Sequence, residues 1–235
     1  KVIVDKLLYG KTTVGSSPLS SGWAAPKIAP SEYAPDKAKK LLDDAGWKPG
    51  PDGVRVKDGV KAALTYQTTS GDKLRELAQQ VIQEQLKDIG IALEIKNIPS
   101  ASLLGTWGDN APRAKGTFDI NMWTTSPGID PHSHLFIYYH SSQIPTEANN
   151  GEGQNYSRLK DAEVDKALDE AGSVPDQEKR KAAYERAIKA ITASRAHIFL
   201  YNRLDVDGAR KYVQGRTHNP WDNLGWDIEA WWLNK

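Results

Sequence analysis

Apolar positions recur along this chain at two periods, and the alternation between them marks out an α/β fold. Leu74, Leu77, Ala78, Val81, Ile82, Leu86 and Ile89 fall on one helical stripe, and Gly90 ends it, so the spacing predicts a helix over 72–89. Ile91, Leu93 and Ile95 then alternate at period two. With a strand over 62–68 before the helix, this gives a βαβ unit with a parallel, right-handed crossover. Ala38, Leu41, Leu42 and Ala45 share a helix face between Pro35 and Gly46. Lys57-Asp58-Gly59, set between the runs 54–56 and 60–68, signals a hairpin.

Further along, Phe118, Ile120 and Met122 alternate with Asp119 and Asn121, a short strand that runs into the polar loop 124–129. Asp130 followed by Pro131 suits a helix start, with the carboxylate accepting from an unpaired N–H and Pro in the first helical position. That helix is expected to run through Leu135 to His140. Helices are expected over 161–171, where Val164, Ala167, Leu168 and Ala171 share a face, and from Pro175 to about Ser194. A short helix is expected over 100–107, a buried strand over His197 to Tyr201, and a strand or strand pair over 204–213. Lys1 to Gly10 reads as a helix end with a Gly cap, and 11–31 as an extended surface run pinned by Trp23. From Gly215 no periodicity remains; Trp226, Trp231 and Trp232 predict that the tail docks on something.

Composition narrows the functional classes. A net charge of +1 over 235 residues gives no electrostatic case for nucleic acid or a membrane surface. No apolar run approaches the roughly 18 residues of a membrane span. The absence of cysteine removes thiolate nucleophiles, disulfides and Cys-based metal sites. No nucleophile elbow, phosphate-cradling loop or H-E-x-x-H helix occurs. His132, His134 and His140 could assist a metal-dependent hydrolase, but residues two apart diverge on a helix. No cofactor is implied.

The central loop offers a binding surface. Trp123 places a flat apolar ring beside the hydroxyls of Thr124, Thr125 and Ser126, where strand, loop and helix N-terminus meet. Trp123 is equally readable as a core residue at a strand end. Asn155 suits turn formation, and Tyr156 is placed to lie against the central loop.

The ordered stretches PDKAKKLLDDAGW, QQVIQEQLKDIGIALEI, FDINMWTTSPGIDPHSHL, GQNYSRLKDAEVDKALDEA and AHIFLYN resemble the C-terminal half of family 5 extracellular solute-binding proteins, the dipeptide-, oligopeptide- and nickel-binding components of ABC importers. The resemblance implies one lobe of a periplasmic-binding-protein type II fold, a mixed sheet flanked by helices. By it, residues 1–215 form a ligand-binding lobe, the other lobe is absent, and 216–235 are a returning C-terminal segment that docks on this lobe or on the missing one. It implies a monomeric receptor, periplasmic or extracellular, held at the membrane by its transporter or by a lipid anchor outside this chain. The receptor would capture a small solute for ABC permease subunits, an oligopeptide first and a metal chelate or sugar as alternatives. Trp123, Thr124, Thr125, Ser126 and Tyr156 would line its cleft. Peptide-binding members carry an Asp shortly after this Trp that pairs with the α-amine. Here Ser126 or its neighbour stands there and no acid lies between Trp123 and Ile129, which argues against free-amine dipeptide recognition.

Overall fold

The computed structural model describes residues 1–204, 206–219 and 225–234. It begins with a π-helical turn, Ile3–Leu7, closed by Gly10 at φ +65°. A long irregular run follows, in which Leu19 and Ala24 are buried and Trp23 meets the Tyr184 ring edge-on at 5.7 Å. Helix α1 (Pro35–Asp44) is peripheral and buries none of its residues. It is held from below by Arg55, which donates to the Asp43 carboxylate at 2.6 Å and to the Trp47 carbonyl at 2.7 Å. Strands β1 (Lys48–Pro49), β2 (Arg55–Lys57) and β3 (Val60–Lys61) make a small antiparallel sheet that includes the expected hairpin.

The βαβ unit is present. Strand β4 (Ala63–Gln67) leads to α2 (Lys73–Lys87) and then to β5 (Ala92–Ile95), which pairs parallel with β4 in the register Leu64–Leu93. Asp72 caps α2 by accepting from the Arg75 amide at 3.2 Å. The inward face of α2 is rotated from the sequence stripe. Leu77 is exposed while Gln79 is fully buried, its amide donating to the Tyr66 carbonyl at 3.2 Å. That bond replaces the water the Gln79 amide nitrogen loses, while its Oε1 is buried without a partner among the described residues.

Helices α3 (Ser100–Leu103) and α4 (Pro112–Lys115) are single turns, so the helix expected over 100–107 stops four residues in. Pro99 precedes α3 and Gly105 follows it closely, which leaves no room to propagate. Strand β6 is only Ile120–Asn121, parallel to β4, which sits between β5 and β6. The Asp119 carboxylate accepts from the Thr65 amide at 2.7 Å and so takes the ladder position that a longer strand would fill. Parallel and antiparallel pairings thus belong to separate sheets.

Helices α5 (Pro131–Tyr139), α6 (Ala162–Ser173) and α7 (Gln177–Ser194) form a second layer, with α6 packed on both others. Asp130, Asp161 and Asp176 cap them. Pro175 therefore lies outside the cap of α7 and does not open the helix. Val164, Ala167, Leu168, Ala171, Ala183, Tyr184, Ala187, Ile188 and Ile191 form the sealed interior of this layer.

The strand expected over His197 to Tyr201 does not form. The segment makes one isolated bridge, Val14 with Tyr201, and the Gly15 N–H donates a hydrogen bond to the Leu200 carbonyl at 3.2 Å. Its side chains explain why: Phe199 packs on the helical core and Leu200 and Tyr201 on the sheet core, so the segment stitches two interiors together. Among the described residues of 204–213, only Val213 is in a strand: β7 (Val213–Gln214) pairs antiparallel with β8 (Trp232–Leu233). Trp226 and Trp231 donate their indole N–H groups to Thr217 and Asp227, while the rings of Trp226 and Trp232 stay largely exposed. The rest of the expected tail, 220–224 and 235, lies outside the described residues. Among the described residues no helix is long and apolar enough to cross a membrane.

Candidate functional site

The C-terminal ends of β4 and β6 open side by side, and two polar ties fix the loops that leave them. The Thr68 hydroxyl, fully buried, donates to the Met122 carbonyl at 2.9 Å. Arg75, in the first turn of α2, reaches both loops. It donates to the Thr69 hydroxyl at 2.8 Å and to the Thr124 hydroxyl at 3.0 Å, and it pairs with Asp72 at 3.2 Å. The Arg75 guanidinium thus ties the loop after β4 to Thr124, and Thr68 holds the Met122 carbonyl, so the backbone is held on either side of Trp123.

Trp123 is half-buried and borders an aromatic row. Tyr156 meets it edge-on at 6.2 Å and His197 at 6.4 Å. His197 continues to Tyr139 at 4.9 Å. Burial pushes the His197 imidazole down to about 4, so it is neutral at physiological pH. On the other side Tyr156 carries the Arg113 guanidinium over its ring at 4.4 Å. Tyr156 is positioned by its neighbour Asn155, which is fully buried. The Asn155 amide nitrogen donates to the carbonyls of Tyr139, His140 and Leu159, and its oxygen accepts from the Leu159 amide and the Ser157 hydroxyl.

Of the five residues singled out in the sequence, Trp123 and Tyr156 come together, though 33 positions separate them. Thr124 is committed to Arg75. Thr125 is half-buried and Ser126 exposed, and neither hydroxyl has a partner among the described residues. Asp130 is structural: it accepts from the His132 amide at 2.9 Å and holds Arg180 at 2.9 Å. Burial opposes its ionisation, but those two donors outweigh it and its pKa is lowered.

The histidines do not converge. His134 is buried against Tyr138 at 4.9 Å, and burial pushes it down to about 4. His132 and His140 lie on either side of Phe136, at 5.3 Å and 4.4 Å, with His140 Nε2 turned to Asp169 at 3.4 Å. Among the described residues no three His, Cys, Asp or Glu side chains are grouped to hold a metal ion. The metal-assisted hydrolase reading therefore loses its geometric basis. Sequence reading missed Arg75, Arg113 and His197. Only Arg75 had a signal, lying three residues after a helix-capping Asp.

An open groove of about 460 Å³ is lined by Thr65, Gln67, Lys96, Thr117, Phe118 and Asp119. None of the five sequence-selected residues takes part in it.

Residues 1–146 match the family model described as bacterial extracellular solute-binding proteins, family 5 Middle. The chain is 33% identical to the oligopeptide-binding protein AppA of Bacillus subtilis, over 99% of this chain and 41% of AppA. Among solved structures, NikZ from Campylobacter jejuni in complex with Ni(L-His) superposes with a TM-score of 0.81 at 27% identity, over 98% of this chain and 45% of that one. AppA in complex with a nonapeptide gives 0.78 at 31% identity, over 99% and 45%. The chain spans about two fifths of the length of the curated relatives it matches, 41% and 39% of the first two.

Proposed function

The chain belongs to the bacterial extracellular solute-binding proteins of family 5, and on that premise we propose that it supplies one wall of a solute cleft in the receptor of an ABC importer. Its part is binding, not catalysis. The observation that carries this reading is the Trp123–Tyr156 surface, standing at the carboxyl ends of parallel strands and braced from behind by Arg75 and Asn155. A braced aromatic face beside free hydroxyls suits a ligand that is covered and oriented without being changed.

The favoured cargo is an oligopeptide, in keeping with AppA and its nonapeptide; a metal chelate, as in NikZ with Ni(L-His), is the second reading, and a sugar the third. Residues 1–215 act as one lobe, and 216–235 return along β7 and rest on a second lobe outside this chain. Support for that division comes from the exposed apolar side chains of Ile198, Val206, Ile228, Trp232 and Leu233. The receptor works as a monomer outside the cytoplasm. It delivers to permease subunits and is held at the membrane by them or by a lipid anchor elsewhere in the protein.

Native mass spectrometry of the complete protein, purified from its own host, tests the reading by weighing what it carries. A bound peptide or chelate supports it, and Trp123→Ala then weakens capture by about tenfold or more. Unchanged affinity in that variant returns Trp123 to a purely structural role. Peptide binding at micromolar affinity by the 235-residue chain alone overturns the two-lobe part.

A further inference from the structure

Asn149-Asn150-Gly151 holds the one asparagine of the chain that a glycine follows. The turn itself demands that pair. Asn150 closes the 3-10 turn Glu147–Asn149 at φ +54° and ψ +28°, the left-handed region that asparagine enters more readily than most residues with a side chain. Gly151 follows at φ +76°, and a Cβ there would strike the Trp107 side chain. Only glycine lets that indole lie so close. Packing has therefore set an asparagine before an unhindered peptide nitrogen, the pairing most open to attack on the side-chain amide.

The target of such an attack is available. Asn150 is exposed, and its side chain has no hydrogen-bond partner among the described residues. The nucleophile is not available. The Gly151 N–H donates to the Thr146 carbonyl at 2.8 Å and to the Asn149 Oδ1 at 3.2 Å. Asn149 is itself held. The same oxygen accepts from the Thr146 amide at 2.8 Å, and Asn149 Nδ2 donates to the Ile144 carbonyl at 2.9 Å. Trp107, seated on Gly151, donates its indole N–H to Glu147 at 3.3 Å. Two acceptors keep the proton on the Gly151 nitrogen and fix its plane.

We propose that Asn150 is a modification site, a spontaneous deamidation gated by the 146–151 turn. In the open turn the Gly151 nitrogen gives its proton to hydroxide and attacks Asn150 Cγ. The N–Cγ bond forms, the Cγ–Nδ2 bond breaks, and Nδ2 leaves as ammonia with a proton from water. The cyclic imide takes up water at either carbonyl and opens to aspartate or isoaspartate. The balance is water in and ammonia out, with no redox change. Isoaspartate lengthens the main chain by a carbon, so the Gly151 N–H no longer returns to the Thr146 carbonyl and the seat of Trp107 is lost. A transient opening becomes a permanent one. The inference goes beyond the solute-binding reading and does not depend on it.

The test ages the complete protein in mildly alkaline buffer, folded and in urea, and follows Asn150 by peptide mapping with mass spectrometry. Conversion in the folded protein is expected to be slower than in urea by about tenfold or more, because only the fraction with an open turn reacts. Asn150→Gly keeps the left-handed turn and abolishes the mass gain. Asn149→Ala removes one acceptor of Gly151 and raises the folded-state rate by about fivefold, with the rate in urea unchanged. Trp107→Ala acts in the same direction. Hydrogen exchange at the Gly151 amide becomes faster in the isoaspartyl product. Equal rates in the folded protein and in urea overturn the inference, as does earlier conversion of another asparagine in the folded protein. A faster rate in Asn149→Ala at an unchanged melting temperature places the gate in the turn. A rate that rises only in step with lost global stability overturns it.

Discussion

Ile188 and Leu93 are both core aliphatics, yet they lie in interiors finished to different degrees. Around Ile188, α5, α6 and α7 seal a cluster in which most members have no exposure at all. Around Leu93 the cluster holds five buried residues and is rimmed by half-exposed ones, among them Leu86, Val81 and Ile120. The polar face of the same sheet leaves Gln67 Oε1 and both polar atoms of Asn121 without hydrogen-bond partners among the described residues. One half of the chain completes its own core; the other is open on the side where β6 ends. The Trp123 loop springs from the open half and leans on the closed one through His197 and Tyr139.

The sharpest way to break this contrast is a pair of truncations followed by urea titration. Ile188→Ala empties a sealed site that cannot collapse, and a loss of about 4 kcal/mol is expected. Acid should act next in size. His134, buried neutral in the helical half, and His197, at the junction, are both held at about 4 against an ordinary value of 6.5. The unfolded chain takes up protons first as pH falls from 6.5 toward 4, so the stability these groups provide is present above 6.5 and drains across that window. Each contributes up to about 1.4 kcal/mol per pH unit. A His134→Phe variant should flatten the pH dependence of the melting temperature; an unaltered slope would mean His134 is not buried neutral.

Leu93→Ala should follow, at about 2 kcal/mol, since its rim can relax into the space. If it matched Ile188→Ala, the two interiors would be equally tight and the contrast would fall. Gln67→Leu should change stability least and in the favourable direction, by about 1 kcal/mol, because its buried Oε1 has no hydrogen-bond partner among the described residues. A gain well above that would show a dry groove and a closed sheet half.

Much of the framework is legible in the residues. Asp72, Asp130 and Asp161 each precede a periodic run, and each caps the helix that follows. The βαβ unit follows from the change in period at Gly90. The misses share a physical cause: the apolar pattern reports burial and is silent on the partner. His197 to Tyr201 reads as a buried strand because it is a short apolar run, but Phe199 packs on one core and Leu200 and Tyr201 on the other. Gln79 looks solvated and is not, because only the folded sheet offers it the Tyr66 carbonyl. At the site, Trp123 and Tyr156 were readable as a large ring after a strand and a tyrosine in a turn. Arg113 was not, since a lone arginine on a single helical turn carries no pattern until Tyr156 arrives beneath it.

Asn155 has a consequence for the thermodynamics of capture. Its five hydrogen bonds immobilise the backbone that carries Tyr156 while the chain folds. On the cleft-wall proposal, a solute settling on that ring would meet a surface already ordered, and no loop entropy would be withdrawn at the moment of contact. Loosening Asn155 would therefore slow nothing in the encounter itself; it would shorten the time the solute stays.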